Sequence, residues 1–474
     1  MLIHPLNYPL NSERLFECIA HLPWAVFLDS GRPESEYGRF DILVADPFIT
    51  MSTVEGGLEP SARVHTEIVQ SGQKTISTED PFLILNRILA AYKTEQNTSL
   101  PFAGGALGYF GYDLARQLEK LPQLAQKNTN IPHMMVGIYD WAVLVDHQEQ
   151  TASLVSHGLI PSTRDHWTTL CRIFEKTEPL VAEDGGFKPD FSLTTALTSN
   201  MTFAQYQTAF TTVKNYISAG DCYQVNLAQR FSAKAQGDSW QAYKKLRATS
   251  PAPFMAYMNF GLMQVLSGSP ERFLQVIGTH VETRPIKGTR PRSDNVQRDN
   301  ALAIELQASI KDQAENLMIV DLLRNDISKN CTIGSVQADK LFQLQSFANV
   351  HHLVSIVTGR LKLGKTAIDL LRGCFPGGSI TGAPKLRAMQ IIEALEPDRR
   401  GVYCGAIGYI GFDGNMDTNI AIRTAVYASA DGVTGELSFY SGGGIVADSD
   451  VDKEYAETLD KAASLFKTMR HFQR

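Results

Sequence analysis

FMAYMNF (254–260), MQVLSG (263–268) and RFLQVIG (272–278) follow one another with two or three residues between them. Each is a short apolar run of strand length, and the breaks carry the turn residues Gly261 and Pro270. Behind them, about 297–325 reads as one long helical stretch, and EYAETLDKAASLFKTM (454–469) as an amphipathic C-terminal helix. Ahead lies FAQYQTAFTTVKNYISAG (203–220), apolar at helical spacing and closed by a glycine. Further back, WAVFLD (24–29), DILVAD (41–46) and WAVLVD (141–146) are again strand-like, with the glycine-rich FAGGALGYFGYD (102–113) among them. Strands arrive in runs and helices as longer separate pieces, an α+β pattern rather than βαβ alternation.

A chain of 474 residues exceeds one ordinary core. The loop-like text KTEPLVAEDGGFKPDFSLTTALTSN (176–200) divides it into an expected N-terminal domain, 1–185, and a second domain, 200–470. A net charge of −6 argues against a nucleic-acid binder. No run of about 18 apolar residues predicts a membrane span. The opening MLIHPLNYPLNSERLF lacks the charge and apolar pattern of a signal peptide. The six cysteines stand far apart with no CxxC pair, so reduced thiols and a cytoplasmic location are expected.

Chemistry gathers in the second half. ETRPIKGTRPR (282–292) sets Lys287 between Pro285-Ile286 and Gly288-Thr289, with Arg284, Arg290 and Arg292 close by. A lysine attacks carbon only when neutral, and nearby cations and desolvation both favour that form. By composition alone the segment reads more readily as a basic turn that binds phosphate or nothing. In SGSPERF (267–273), Glu271 is a candidate general acid or base, against the plainer reading of a structural Glu–Arg pair. Asp312 with Glu315, and Glu454 with Glu457, are carboxylate pairs three residues apart on one helix face. Each alone is an ordinary solvated face; opposed, they make an all-oxygen set suited to Mg²⁺.

FPGGSITGAPKLRAMQ (375–390) is a glycine-rich loop running into a helix, a setting for an anion. SGGGIVADSD (441–450) lets backbone approach a ligand closely. GRLKLGKT (359–366) satisfies the P-loop expression. Its intervening residues hold two leucines and no glycine, and the acidic run LMIVDLL (317–323) precedes it and reads as helix, so a P-loop NTPase is the remote alternative.

Ten segments, in order, resemble the chorismate-utilising enzymes, the family of anthranilate, isochorismate, salicylate and aminodeoxychorismate synthases. They are GDCYQVNLAQR (220–230), SPERF, RPIKGT, AENLMIVDLLRND (314–326), HHLVS (351–355), GGSITGAPK (377–385), CGAIGYI (404–410), NIAIRTA (419–425), SGGGIVADS and EYAETLDKA. The N-terminal half is similar to the domain that precedes this core in the anthranilate and aminodeoxychorismate branches. Where other branches carry alanine in a PIAGT-type motif, this chain has Lys287, the mark of the aminodeoxychorismate branch; an anthranilate synthase component I is the alternative.

The resemblance implies a large interwoven α+β body of two packed antiparallel sheets with outer helices. It implies amination of chorismate to 4-amino-4-deoxychorismate through a covalent Lys287 intermediate, for 4-aminobenzoate and folate synthesis. Glu271 is then the acid and base. Substrate contacts fall on Thr289, His352, Ser379, Thr381, Lys385, Tyr409, Arg423 and Gly442, Gly443 and Gly444. Glu315, Glu454 and Glu457 are the expected Mg²⁺ ligands. Ser30, Tyr37, Gly38, Arg39, Phe40, Pro253, Phe254 and Met255 match a pocket that can hold tryptophan. No glutaminase text is present, so ammonia is expected from solution or from a glutamine amidotransferase subunit in a heterodimer.

Overall fold

The computed structural model describes residues 1–31, 37–56, 64–95, 100–127, 130–175, 190–346 and 350–473. Two large sheets dominate it, and every pairing between their named strands is antiparallel. Strands before residue 176 build one end of each sheet and strands after residue 190 build the other. In the first sheet the halves meet where Ala25–Asp29 pairs with Phe254–Asn259. In the second they meet where Gly105–Phe110 pairs with Ala406–Gly411. The body is therefore interwoven, with both halves in both sheets. Of the connecting text 176–200, residues 176–189 lie outside the described residues; Ser192–Leu193 and Thr198–Ser199 add short strands against Gln224–Gln236.

Side chains alternate across a strand, and here both faces find apolar cover. Val26, Ala256, Met258 and Val265 pack between the sheets, against Leu107, Tyr109 and Ile407 of the other sheet. Phe27, Met255, Tyr257 and Leu266 point the opposite way, into a core shared with Trp240, Tyr243 and Leu465 of the helices Ser239–Thr249 and Val451–Arg470. The second sheet is covered on its far face by Val320, Ile327 and Leu371 of helical segments. Covering on both faces explains why the strands read as unbroken apolar runs instead of clean alternation.

The stretch 297–325 is two helices rather than one, Val296–Ala308 and Ile310–Ser328. Ser309 breaks it: its hydroxyl accepts from the Asp312 amide at 3.3 Å and caps the second helix. Serine offers that oxygen more favourably at a cap than in a helix interior. The remaining helical expectations hold, with Phe203–Ser218 opened by a Thr202–Gln205 capping box.

One buried ion pair ties the helix Lys385–Leu395 to the strands. Arg400 and Glu396 are 2% and 4% exposed and paired at 2.6 and 2.9 Å. Arg400 also donates to the carbonyls of Ile380 and Asn226, and Glu396 accepts from the Ala228 amide. Removing one partner leaves the other charge buried and alone. Glu396→Ala is expected to cost about 3–5 kcal/mol in urea unfolding; a loss under about 1 kcal/mol would assign the pair no structural weight.

Candidate active site

Two connections carry the chain from one sheet to the other, and they lie side by side. Met263–Ser269 belongs to the first sheet and Arg272–Ile277 to the second, so Pro270-Glu271 is a crossing. Met416–Ile420 and Thr424–Ser429 make the reverse crossing through Arg423. The Glu271 carbonyl accepts from the Ile420 amide at 3.0 Å, and the Arg423 carbonyl accepts from the Gly268 amide at 2.9 Å. Arg423 sits at φ 50°, a left-handed conformation unusual for a long side chain and characteristic of functional sites.

Burial pushes the Glu271 carboxyl up to about 7, against the pull of Lys287, Lys461 and Arg423 and a hydrogen bond from Ser379 Oγ to Oε1 at 3.0 Å. A carboxyl so placed still holds a proton near neutrality. Arg423, enclosed by protein, is lowered by burial and partly restored by Glu271. Its guanidinium makes no ion pair with a described residue, and a guanidinium can bind a carboxylate through two N–H groups.

Lys287 rides on the strand Ile286–Pro291, paired with Val350–Arg360. The register slips between Lys287 and Thr289, so Gly288 is an extra residue, at φ 76°. Such a bulge bends the strand and re-aims its side chains. A Cβ at 288 would stand 2.8 Å from Leu306 Cδ1 and 3.0 Å from Asp312 Cβ, so glycine is required there. Burial lowers the Lys287 ammonium below its ordinary range, Lys461 lowers it further, and Glu315, Glu271 and Glu457 oppose both. Thr289 Oγ1 and His352 Nδ1 share a hydrogen bond of 3.0 Å. Burial and the Arg423 charge push His352 down to about 4, which keeps its ring neutral.

Glu454 and Glu457 reach the same place from the helix Val451–Arg470. A Cβ at Gly443 would lie 3.1 Å from Glu454 Oε2 and 3.6 Å from Glu457 Oε1. The bare glycine thus leaves a cradle beside both carboxylates, in the strand that also carries Gly442 and Gly444. Burial and neighbouring negative charge raise Glu315 and Glu454, whereas the ion pair with Lys461 overcomes burial and holds Glu457 below its usual range. No three acidic, thiol or imidazole groups among the described residues converge into a finished ligand shell. A few carboxylates completed by water or ligand oxygens is a donor set of the kind Mg²⁺ accepts.

The expected residues do not all assemble here. The Tyr409 strand presents that ring to the face of Ile407, and Tyr409 lines a separate cavity of 370 Å³ between the sheets. Ser30, Tyr37, Arg39, Phe40, Pro253, Phe254 and Met255 line it too, while Gly38 does not. Arg39 lies over the Phe40 ring and spends its charge on Asp146. The Lys385 ammonium is committed to Asp326 at 2.5 Å and the Cys374 carbonyl at 2.8 Å. The Thr381 hydroxyl is fully buried and donates to the carbonyls of Gly377 and Gly378. Asp312 pairs with Arg290. In the P-loop text, Lys365 faces Asp369 at 3.6 Å and Thr366 caps the next helix, so neither is arranged for phosphate.

Lys461 is the residue that reading the sequence missed. Its ammonium stands 2.6 Å from Glu457 Oε1 and 3.3 Å from the Gly442 carbonyl, and it acts electrostatically on both Lys287 and Glu271. The signal was there, four residues after Glu457, but an i,i+4 Glu–Lys pair is an ordinary helix-surface feature.

The model of the chorismate binding enzyme family matches residues 43–467. Aminodeoxychorismate synthase component 1 of Escherichia coli (strain K12) is 47% identical, over 97% of this chain and 96% of that protein. Anthranilate synthase component 1 of Pseudomonas putida is 36% identical, over 95% and 91%. The crystal structure of anthranilate synthase component I from Streptococcus pneumoniae TIGR4 superposes with a TM-score of 0.77 at 32% identity, covering 91% of this chain and 93% of that one. With the match spanning most of its length and both sheets, the chain belongs to the chorismate binding enzymes.

Proposed function

We propose that this chain converts chorismate and ammonia to 4-amino-4-deoxychorismate, with Lys287 as nucleophile. The observation that carries the reading is a lysine amine desolvated and lowered from its ordinary range, within electrostatic reach of Glu271, a carboxyl that burial pushes up to about 7. The neutral Lys287 amine attacks ring carbon 2. Both ring double bonds shift, carbon 1–carbon 2 to carbon 1–carbon 6 and carbon 5–carbon 6 to carbon 4–carbon 5, the carbon 4–oxygen bond breaks, and Glu271 gives its proton to the departing hydroxyl, which leaves as water. Ammonia then bonds to carbon 4, the lysine–carbon 2 bond breaks, and proton transfer restores neutral Lys287 and protonated Glu271. One difficult substitution becomes two easier ones.

Arg423 is suited to bind one substrate carboxylate by its paired N–H groups. Thr289 and neutral His352 border the same space, and Ser379 holds Glu271. Glu315, Glu454 and Glu457 would hold Mg²⁺, which supplies charge neutralisation at a substrate carboxylate and withdraws electrons from the ring. All six cysteines are buried and none is arranged as a glutaminase nucleophile, so ammonia comes from solution or from a glutamine amidotransferase partner. The second cavity, walled by Tyr37, Phe40, Phe254 and Tyr409 with polar groups at Ser30 and Asp417, suits tryptophan.

Purified chain given chorismate, Mg²⁺ and ammonium is expected to form the 4-aminated, non-aromatic product, and glutamine is not expected to replace ammonium without a partner. Glu271→Gln should lower kcat by about 10²- to 10⁴-fold. Anthranilate as the product would overturn the assignment. For the cavity, mass spectrometry of the denatured protein should release tryptophan in near-equal amount; a preparation free of tryptophan that also ignores added tryptophan in calorimetry removes that ligand.

A further inference from the structure

The turn 446–449 lies between the glycine strand and the helix of Glu454 and Glu457, so it fixes how the two meet. Three of its carbonyls, those of Val446, Ala447 and Ser449, converge on one point. Convergent carbonyl dipoles repel unless a cation sits between them. That cation is the ammonium of Lys214, from the distant helix Phe203–Ser218, donating to Val446 at 3.4 Å, to Ser449 at 3.1 Å, and to Ala447. Three N–H donors meet three acceptors, and the ammonium also lies 5.9 Å from the centre of the Phe210 ring.

The turn passes this constraint inward. The Ser449 hydroxyl is buried, accepts from the Val446 amide at 3.0 Å and donates to Glu454 Oε1 at 2.6 Å. A chain of contacts therefore runs from Lys214 to the turn, then Ser449, then a carboxylate at the edge of the candidate site, although no hydrogen bond or ion pair among the described residues joins Lys214 to Lys287, Glu271 or the acidic set itself. We infer that Lys214 is a positioning residue, whose clamp on the turn 446–449 sets the Glu454 carboxylate for its ligand. This rests on the Mg²⁺ reading given above.

Lys214→Met keeps the aliphatic stem over Phe210 and removes the three donors. The resting protein can be titrated with Mn²⁺, in place of Mg²⁺, by electron paramagnetic resonance without turnover. Wild type is expected to bind, Glu454→Gln to bind weakly, and Lys214→Met to lose about ten- to hundredfold in affinity with its thermal midpoint little changed. Lys214→Arg should recover only part, because a planar fork cannot meet three converging carbonyls. Mn²⁺ binding by Lys214→Met equal to wild type overturns the inference. If wild type itself binds no Mn²⁺, the metal reading fails instead, and hydrogen exchange at the Val446 amide decides the clamp: faster exchange in Lys214→Met supports it, and an unchanged rate refutes it.

Discussion

An amine that is to act as a nucleophile has to be kept from its proton, and in the proposed reaction that condition rests on desolvation of Lys287. Water would stabilise the ammonium; the protein around Lys287 withdraws that stabilisation, and Lys461 adds a second positive charge. The same enclosure works in the opposite sense on Glu271, where it disfavours the anion and preserves the proton. On the proposed reading, one physical effect thus prepares a nucleophile and an acid together. Carboxylates at the pocket edge oppose it, and Glu457 is itself quenched by Lys461.

The fold supplies that enclosure through its topology. Glu271 and Arg423 stand on adjacent crossings between the two sheets, where neither residue is confined to the regular alternation of a strand. The bulge at Gly288 does the equivalent for Lys287 on the strand beside His352. Strand ends and bulges free these side chains to converge, while the uninterrupted sheets around them keep the positions stiff. The helix Val451–Arg470 closes the arrangement from one side and is itself indexed by the turn that Lys214 holds.

The short ordered motifs bring several of the expected residues near one another in the fold. Lys287, Glu271, Thr289, His352, Ser379 and Arg423 come to one place, as do Glu454, Glu457 and Gly443. Other expected residues have different partners. Tyr409, expected from the resemblance alone, lines the cavity of Phe254 and Tyr37. Lys385 and Thr381 belong to the motif text but satisfy Asp326 and backbone carbonyls, partners far away in the sequence or hidden in a turn. The helix break at Ser309 was readable as a cap, yet the surrounding helical spacing concealed it.

Incubation with chorismate and Mg²⁺ in the absence of ammonia, followed by quenching and peptide mass spectrometry, tests the role of Lys287 most directly. The account predicts that the peptide containing Lys287 gains the mass of chorismate less one water, and that ammonia discharges this adduct as aminated product. An unmodified Lys287 peptide, in protein that nonetheless aminates chorismate when ammonia is supplied and continues to do so as Lys287→Ala, would contradict it.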